Sequence, residues 1–212
     1  MKAIVFDLDG TLVETIYDIA NSMNKALEEF GYNTHPLDKY REFIGEGVLV
    51  LTKRAIGIDV SDSVVQSVVD RYNEIYKDNC MNLSEPYENM IYVLDQLIKK
   101  GYKLAVISNK PDFDTKRIVN HYFGDRFSYV VGSKKEVQRK PAPEAMQIFM
   151  QEYGLNISDI TYVGDSRYDA QFSINCGCDY YLFEYGYDKK EVIQSYNPKA
   201  FLKEALDLLK YF

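Results

Sequence analysis

The amino-acid sequence predicts an α/β fold, with a Rossmann-like, mostly parallel sheet as its core and a small helical cap domain inserted after the first strand. Two observations lead to this prediction. Short apolar runs that end in polar residues or glycine alternate with helical patterns over most of the chain, as expected of a parallel sheet covered by helices. About seventy residues after the first run contain no convincing strand, and ordinary connections are far shorter.

Five of the short apolar runs are rich in β-branched or aromatic residues, and each is too short to form a free-standing helix. We therefore predict that these runs are strands. In chain order they are Ala3–Phe6, Leu104–Ile107, Tyr129–Val131, Ile160–Val163 and Tyr180–Phe183.

The inserted segment predicts three helices, over Ile16–Phe30, Val48–Ala55 and Ser61–Tyr76. A glycine follows the first of these patterns directly and the second closely, which is a common way for a helix to end. The chain leaves and re-enters the core near Val13–Thr15 and Leu83–Tyr87. The expected division is therefore a core of residues 1–14 and 86–212 and a cap of residues 15–85.

Two further helices are predicted in the core. Asn89–Lys100 has apolar residues at helical spacing, two lysines in its last turn and then Gly101, which together indicate an amphipathic helix with a glycine stop. Glu144–Tyr153 follows a proline-containing loop and carries the second helical pattern.

Charge argues against nucleic acid as the main partner. The 212 residues contain 25 Lys and Arg and 32 Asp and Glu, which gives a net charge of −7. Binding to the phosphate backbone of nucleic acid depends on clustered Lys and Arg. An anionic substrate remains compatible with this balance, provided that the protein supplies local positive charge or a cation.

The three cysteines, Cys80, Cys176 and Cys178, are too few and too unevenly spaced for a disulfide framework or a zinc site. We expect them to be free, buried thiols. The first apolar run is shorter than the core of a signal peptide. No run approaches the ~18 apolar residues that span a bilayer. These observations predict a cytoplasmic protein that does not act in a membrane.

The motif Asp7-x-Asp9-Gly10-Thr11 follows the first predicted strand directly. Buried carboxylates must be paired, protonated or bound to a metal. Ligands of open α/β sheets bind at the carboxyl ends of the strands. A calcium loop would place Gly and Glu where this chain has Leu12 and Asp18. The motif therefore predicts an acidic metal site with a reactive aspartate.

Three more polar motifs occupy comparable positions. Ser108-Asn109-Lys110 and Gly164-Asp165-Ser166-Arg167-Tyr168-Asp169 directly follow predicted strands, and Lys140-Pro141-Ala142-Pro143 precedes a predicted helix. Taken singly, they could be a turn, a strand-to-helix N-cap and a loop before a helix, respectively. These separate explanations do not account for the occurrence of all four motifs in this order together with the helical insertion.

Together the four motifs resemble the haloacid dehalogenase-like phosphohydrolases, and the resemblance covers the whole chain. Phe6–Val13, the Ile44–Gly47 turn and the segment 108–111 are most similar to the phosphoglycolate phosphatase-like branch. The resemblance implies a phosphatase for small phosphate monoesters that works through an aspartyl-phosphate. A β-phosphoglucomutase-like phosphomutase, or a pyrophosphatase or nucleotidase of the same superfamily, stays open. A non-catalytic phospho-receiver fits less well, because receivers lack the helical insertion.

The resemblance also implies a Mg²⁺ site. Asp7 would attack the phosphorus and bind Mg²⁺, and Asp9 would bind it through its backbone carbonyl. Asp165 would supply a second carboxylate, and Asp169 would support the ligand shell through metal-bound water. The Asp9 side chain would then be free to act as general acid and base.

Phosphoryl transfer also needs donors for the phosphate oxygens and a cation against their charge. By the same resemblance, Thr11, Ser108 and the backbone amide of Asn109 would hold the phosphate. Lys140 would offset the charge of Asp7 and of the phosphate. The pattern assigns no role to Arg139, the cation beside Lys140.

Selection of the leaving group would fall to the cap. Arg41, Glu46 and Lys53 are the candidates, since they lie around the glycine-flanked turn at Ile44–Gly47, where a small ligand could approach the backbone closely. A solvated surface loop is an equally good explanation of these three residues. The expected partner is one small phosphorylated metabolite, and the chain is expected to act as a monomer or a homodimer.

Overall fold

The computed structural model describes residues 2–212, and its main sheet has six parallel strands. β1 (Ala3–Phe6) pairs with β4 (Lys103–Pro111) on one side and with β6 (Ile160–Gly164) on the other. The full order is β5-β4-β1-β6-β7-β8; the three remaining strands are β5 (Tyr129–Ser133), β7 (Asp179–Phe183) and β8 (Ala200–Leu202).

The predicted α/β fold class is confirmed, and each of the five predicted strands is present. Connections from β1 run to β4 and β5 on one side, while later strands extend the sheet on the other side. The carboxyl end of β1 is thus next to the point where the strand order reverses. Ligands of such sheets bind at that point.

Helices cover both faces of the sheet because the side chains of β1 alternate between two apolar clusters. Ile4 and Phe6 join a cluster that also contains residues of the inserted helices, whereas Ala3 and Val5 join a cluster on the opposite face. The core helices are α5 (Met90–Lys99), α6 (Asp112–Phe123), α7 (Glu144–Tyr153), α8 (Arg167–Cys176) and α9 (Lys190–Ile193). Short 3-10 helices occupy Ile157–Asp159 and Ala205–Lys210.

The inserted segment forms four helices where three were predicted. They are α1 (Ile16–Glu29), α2 (Leu37–Phe43), α3 (Val48–Ile56) and α4 (Asp62–Asn79). The additional helix, α2, has seven residues and buries only Tyr40, so its apolar pattern is too weak to predict a helix.

Two short strands join the ends of the inserted segment. β2 (Val13–Glu14) and β3 (Glu85–Pro86) pair antiparallel, with Val13 opposite Pro86. The chain therefore leaves and re-enters the core at one place. Among the helices of residues 2–212, none combines the length and the apolar character needed to cross a lipid bilayer.

Candidate active site

The carboxyl ends of β1, β4 and β6 open into a cleft between the sheet and the inserted helices. The cleft has an empty volume of about 810 Å³, part of which is open to solvent. Asp7, Asp9, Ser108, Lys140 and Asp165 all line it, together with the turn between α2 and α3. The structure therefore brings residues from all four sequence motifs to one place.

Three buried carboxylates cluster at the base of this cleft. Asp7 follows β1, Asp165 follows β6, and Asp169 lies in the first turn of α8. Each offers an oxygen within 4.8 Å of the oxygens of the other two. Such a concentration of negative charge away from water requires compensation by protons, cations or hydrogen-bond donors.

The three carboxyl groups are compensated in different ways. Burial raises the pKa of Asp7 to about 7, although Lys140 opposes the shift. Burial, and then the charges of Asp169 and Asp7, raise the pKa of Asp165 well above its usual value. Burial would also raise the pKa of Asp169, but the adjacent Lys140 ammonium and several hydrogen bonds hold it below its usual value. Of the three carboxyl groups, Asp169 is therefore the one whose surroundings favour the ionised form.

Both oxygens of Asp169 are occupied by donors from the protein. Lys140 Nζ donates to Oδ1 over 2.7 Å, and the backbone N–H and hydroxyl of Ser166 donate to Oδ2 over 3.0 and 2.6 Å. Ser166 and Asp169 form the capping box that begins α8, so the local sequence fixes this carboxylate. The N-cap that the sequence analysis gave as the simple alternative for this motif is present, alongside the acidic cluster.

Asp7 has an oxygen without a hydrogen-bond donor. Lys140 Nζ lies 3.0 Å from Asp7 Oδ1, but the angles do not make a hydrogen bond, and this buried oxygen has no hydrogen-bond partner within residues 2–212. The Lys140 ammonium offsets the charge of this oxygen, while the hydrogen-bonding capacity of the oxygen stays available to a ligand. A hard divalent cation such as Mg²⁺ suits the position, because the carboxylates of the cluster offer only oxygen ligands.

Asp165 is held beside Asp7 by close packing and by two donors. The Thr11 hydroxyl donates to Asp165 Oδ1 over 2.6 Å, and the Tyr187 N–H donates to Oδ2 over 2.9 Å. A Cβ atom at Gly186 would lie 2.1 Å from Asp165 Cβ, and one at Gly10 would lie 2.6 Å from Oδ2. The glycines at both positions thus allow the backbone to approach this carboxylate.

Asp9 pairs with a lysine that the sequence analysis left without a role. Lys110 Nζ donates to Asp9 Oδ1 over 3.0 Å, and the Thr15 hydroxyl donates to the same oxygen over 2.6 Å. Burial opposes the charge of Lys110, but Asp9 and other neighbours outweigh it, so the pKa of Lys110 is raised. The Asp9 side chain therefore lies beside a fixed positive charge.

Lys140 is the second buried cation. Its Nζ contacts Asp7 and Asp169 and donates to the Tyr162 hydroxyl over 2.8 Å. Burial disfavours its charge, yet Asp169 and Asp7 more than compensate, and the pKa of Lys140 is raised. Tyr162, which the sequence analysis did not single out, donates to the backbone carbonyl of Ile107 and thus connects this cation to β4.

Of the three residues predicted to hold phosphate, two line the cleft and the third is hydrogen-bonded to a carboxylate. Ser108 and Asn109 line the cleft at the end of β4. The Asn109 side chain donates to the backbone carbonyls of Gly45 and Lys140 and accepts from the Lys140 N–H. Thr11 is fully buried, and its hydroxyl proton is donated to Asp165. The Thr11 side chain thus positions a carboxylate, where the sequence analysis had expected it to meet phosphate.

The predicted cap residues separate into three environments. Arg41 lines the cleft. Glu46 accepts a hydrogen bond from the Tyr168 hydroxyl over 2.6 Å and pairs with Arg54. Lys53 is half exposed and pairs with the exposed Asp62 at 2.8 Å. The expectation that Lys53 faces the ligand is therefore corrected, since this lysine belongs to the outer surface of the inserted helices.

Arg139 acquires a structural explanation. Its Nη1 donates to the backbone carbonyl of Glu46 over 3.1 Å, and its Nε donates to the Ser133 hydroxyl over 2.7 Å. A Cβ atom at Gly47 would lie 2.7 Å from Arg139 Nη1. Arg139 thus holds the Ile44–Gly47 turn against the core. The hydrogen bond from the Asn109 side chain to the Gly45 carbonyl does the same.

Two residues that the sequence analysis missed are joined to Asp9. The Tyr187 hydroxyl accepts hydrogen bonds from the N–H groups of Thr15 and Ile16 over 2.8 and 3.0 Å, while the Thr15 hydroxyl donates to Asp9. Thr15 and Tyr187 are separated by 172 positions. No local pattern could have indicated this connection.

The comparisons with known proteins agree with this site. A family model for haloacid dehalogenase-like hydrolases matches residues 4–183. The phosphoglycolate phosphatase of Aliivibrio fischeri is 31% identical over 99% of this chain and 95% of its own length. That of Haemophilus influenzae (strain 86-028NP) is 33% identical over 98% of this chain and 96% of its own. The crystal structure of a predicted phosphoglycolate phosphatase from Haemophilus somnus superposes with a TM-score of 0.93 at 30% identity, covering 100% of this chain and 97% of the other.

Proposed function

Because the chain belongs to the haloacid dehalogenase-like hydrolases and is a phosphatase of that superfamily, we propose that it hydrolyses a small phosphate monoester, phosphoglycolate first, with Mg²⁺ and through an aspartyl-phosphate at Asp7. One observation carries this proposal. Among residues 2–212, no group donates a hydrogen bond to the buried Asp7 oxygen, which lies beside Lys140 and within 4.8 Å of an oxygen of Asp165. A nucleophile needs an available oxygen and nearby positive charge in this way.

In this proposal the carboxylates of Asp7 and Asp165 and the backbone carbonyl of Asp9 bind Mg²⁺. Asp169 would support these ligands through metal-bound water, the role that the family resemblance implies, and its oxygens accept hydrogen bonds from Lys140 and Ser166. When bound, Mg²⁺ would supply positive charge between Asp7 and the phosphate and so reduce their repulsion.

The reaction then has two steps. Asp9, which is paired with Lys110 in the free protein, takes up a proton before the first step. Asp7 then forms a bond to phosphorus while the bond between phosphorus and the ester oxygen breaks, and Asp9 gives that proton to the departing oxygen. Water next attacks the phosphorus and loses a proton to Asp9, and the bond between phosphorus and Asp7 breaks. Phosphate leaves, and both aspartates return to their initial states.

The remaining residues hold the phosphate and the reacting groups. The Ser108 hydroxyl and the Asn109 amide contact phosphate oxygens, since both residues line the cleft. Lys140 offsets the charge of Asp7 and of the phosphate. We assign Thr11 a positioning role, because its hydroxyl donates to Asp165.

We also propose the division into a core of residues 1–14 and 86–212 and a cap of residues 15–85. The pairing of β2 with β3 at the two ends of the insertion supports it. A monomer or homodimer remains our prediction for the assembly. A reducing cytoplasm remains the expected compartment, because Cys80, Cys176 and Cys178 are free thiols.

The test is a panel of phosphate esters that includes phosphoglycolate, a sugar phosphate, a nucleotide and pyrophosphate, each assayed with and without Mg²⁺. We expect Mg²⁺-dependent release of phosphate with the highest kcat/KM for phosphoglycolate. Asp7→Asn should abolish turnover, and Asp9→Asn should lower kcat by roughly 10²–10⁴-fold, the usual contribution of a general acid–base.

Asp125→Asn is the matched control, because Asp125 is exposed and follows α6 on the core. It should retain the wild-type rate. Steady-state turnover by Asp7→Asn would contradict the proposal, as would release of phosphate that does not depend on Mg²⁺. Conversion of the sugar phosphate to an isomer would instead identify a phosphomutase.

A further inference from the structure

The cleft contains one cation that is much less firmly paired than the others. Lys110 and Lys140 each have a carboxylate oxygen within 3.0 Å. The carboxylate closest to Arg41 is that of Glu14, and their Nη2 and Oε1 atoms are 3.9 Å apart, with both side chains about one-third exposed. Such a contact stabilises little.

Most hydrogen-bonding capacity of Arg41 is unused. Within residues 2–212, its one hydrogen bond runs from Nη1 to the Gly186 carbonyl at 3.3 Å. A guanidinium carries five N–H donors in a planar fork. The central carbon of the Arg41 guanidinium lies 5.7 Å from the centre of the Tyr187 ring. This cation–π contact helps to hold the guanidinium at the border between the inserted helices and the core.

Asp188, an acidic residue that also lines the cleft, is already paired with Arg167. Asp188 accepts hydrogen bonds from the backbone N–H and the side chain of Arg167. The inserted helices otherwise contribute an apolar wall, formed in part by Ile19, Val48 and Leu51. A second anionic group on a ligand would therefore meet favourable charge at Arg41.

Neither of the other two cap candidates offers a positive charge inside the cleft. Glu46 is itself acidic and is engaged by Tyr168 and Arg54, and Lys53 faces solvent. We propose that Arg41 binds a carboxylate of the leaving group through paired N–H bonds, and so selects phosphate esters of short hydroxy acids. This inference rests on the proposed phosphatase function, and it adds the residue and the chemical group that decide the substrate.

The first test compares phosphoglycolate with 2-hydroxyethyl phosphate, in which a neutral hydroxymethyl group replaces the carboxylate. In Arg41→Gln we expect kcat/KM for phosphoglycolate to fall by about 10- to 100-fold, the usual worth of a hydrogen bond to a charged group. The value for 2-hydroxyethyl phosphate should change by less than about twofold. Arg41→Lys should recover only part of the preference, because an ammonium lacks the planar fork.

Lys53→Gln is the matched control, since it removes the same charge from the same group of helices but outside the cleft. It should leave both substrates unaffected. Equal losses for both esters in Arg41→Gln would show that this residue supports the fold or the reaction in general, and would overturn the inference.

A binding measurement separates this inference from the proposed function. In Asp7→Asn protein with Mg²⁺, calorimetry should show tighter binding of phosphoglycolate than of 2-hydroxyethyl phosphate, and Arg41→Gln in the same background should abolish the difference. That result would support the role of Arg41 even if the wild type hydrolysed neither ester. Absence of any preference in the Asp7→Asn protein would refute it even if the wild type proved to be a phosphatase.

Discussion

Lys110 Nζ lies 3.0 Å from Asp9 Oδ1, and both side chains are almost excluded from solvent, with exposed fractions of 3% and 13%. The ammonium also lies 4.7 Å from the centre of the Tyr76 ring. The proposed general acid–base thus forms a buried ion pair between β4 and the loop that follows β1. Loss of one member leaves the other as an uncompensated charge.

Lys110→Met should therefore destabilise the protein by about 3–5 kcal/mol, the usual cost of removing one partner from a buried pair. Chemical denaturation followed by circular dichroism measures this change. In the double variant Lys110→Met/Asp9→Asn, part of the stability should return, because no unpaired carboxylate remains. Additive losses in the double variant would show that the two side chains are not energetically coupled.

Lys140→Ala should lower kcat by about 10²–10³-fold, the range found when one preorganised charge-stabilising donor is removed from an active site. Its Nζ contacts both Asp7 and Asp169, so without it only the bound cation would reduce the repulsion between Asp7 and phosphate. Steady-state kinetics under saturating Mg²⁺ measures the change. Lys199→Ala serves as control, because that lysine is half exposed and pairs with Asp179 at the surface. A loss below tenfold would contradict this role and would leave Lys140 as a structural residue of its loop.

Tyr187→Phe should reduce stability by roughly 1–3 kcal/mol, because the backbone N–H groups of Thr15 and Ile16 would lose their acceptor. We also expect kcat to fall, since Asp9 is held through Thr15. The Mg²⁺ concentration for half-maximal activity should stay the same, because the Tyr187 N–H still donates to Asp165.

Tyr185→Phe provides the comparison for this variant. Its hydroxyl lies in the same loop and donates to the Thr11 carbonyl over 2.9 Å, but it has no bond to the start of α1. A smaller loss of kcat is expected than in Tyr187→Phe. Equal effects of the two substitutions would contradict a specific role for the Tyr187 hydroxyl.

The strands of the core were predictable from short apolar runs, because burial on both faces leaves a clear local pattern. The run at Leu104–Ile107 gave the start of β4 but not its end. The strand continues to Pro111 through Ser108, Asn109 and Lys110, whose polar side chains are buried by contacts with distant residues. β2 and β3 have two residues each and exist through their mutual pairing, which no local pattern reveals.

The site shows the same division. Asp7, Asp165 and Lys140 belong to motifs that are continuous in sequence, and the sheet topology brings them together. Tyr187 contacts Thr15 across 172 positions and Lys110 contacts Asp9 across 101. Such connections depend on the tertiary fold, so their partners could be identified only in the structure.

The raised pKa of Asp7 predicts how stability depends on pH without metal. The pKa is about 7 in the folded protein, against an ordinary value of 3.8. Between these values the folded state holds a proton that the unfolded state has lost, so this group lowers stability as pH rises and its effect is complete above pH 7. Metal-free Asp7→Asn should therefore be more stable than the wild type at pH 8, by at least about 2–4 °C in Tm.

At pH 4.5 the difference in Tm should be much smaller, because Asp7 is then protonated in the folded wild type. Addition of Mg²⁺ at pH 8 should raise the Tm of the wild type more than that of Asp7→Asn, since a ligand that binds the folded state stabilises it. Equal Tm values of the two metal-free proteins at pH 8 would show that burial of Asp7 imposes no cost.

The most direct test of the central claim is to locate the covalent phosphate. Wild-type protein would be mixed with phosphoglycolate and Mg²⁺, quenched in acid within milliseconds and reduced with borohydride, which converts an aspartyl-phosphate to homoserine. Mass spectrometry of the peptides should then find homoserine at position 7, and none in Asp7→Asn. Phosphate release with no modification at position 7, or with homoserine at another aspartate, would contradict the account.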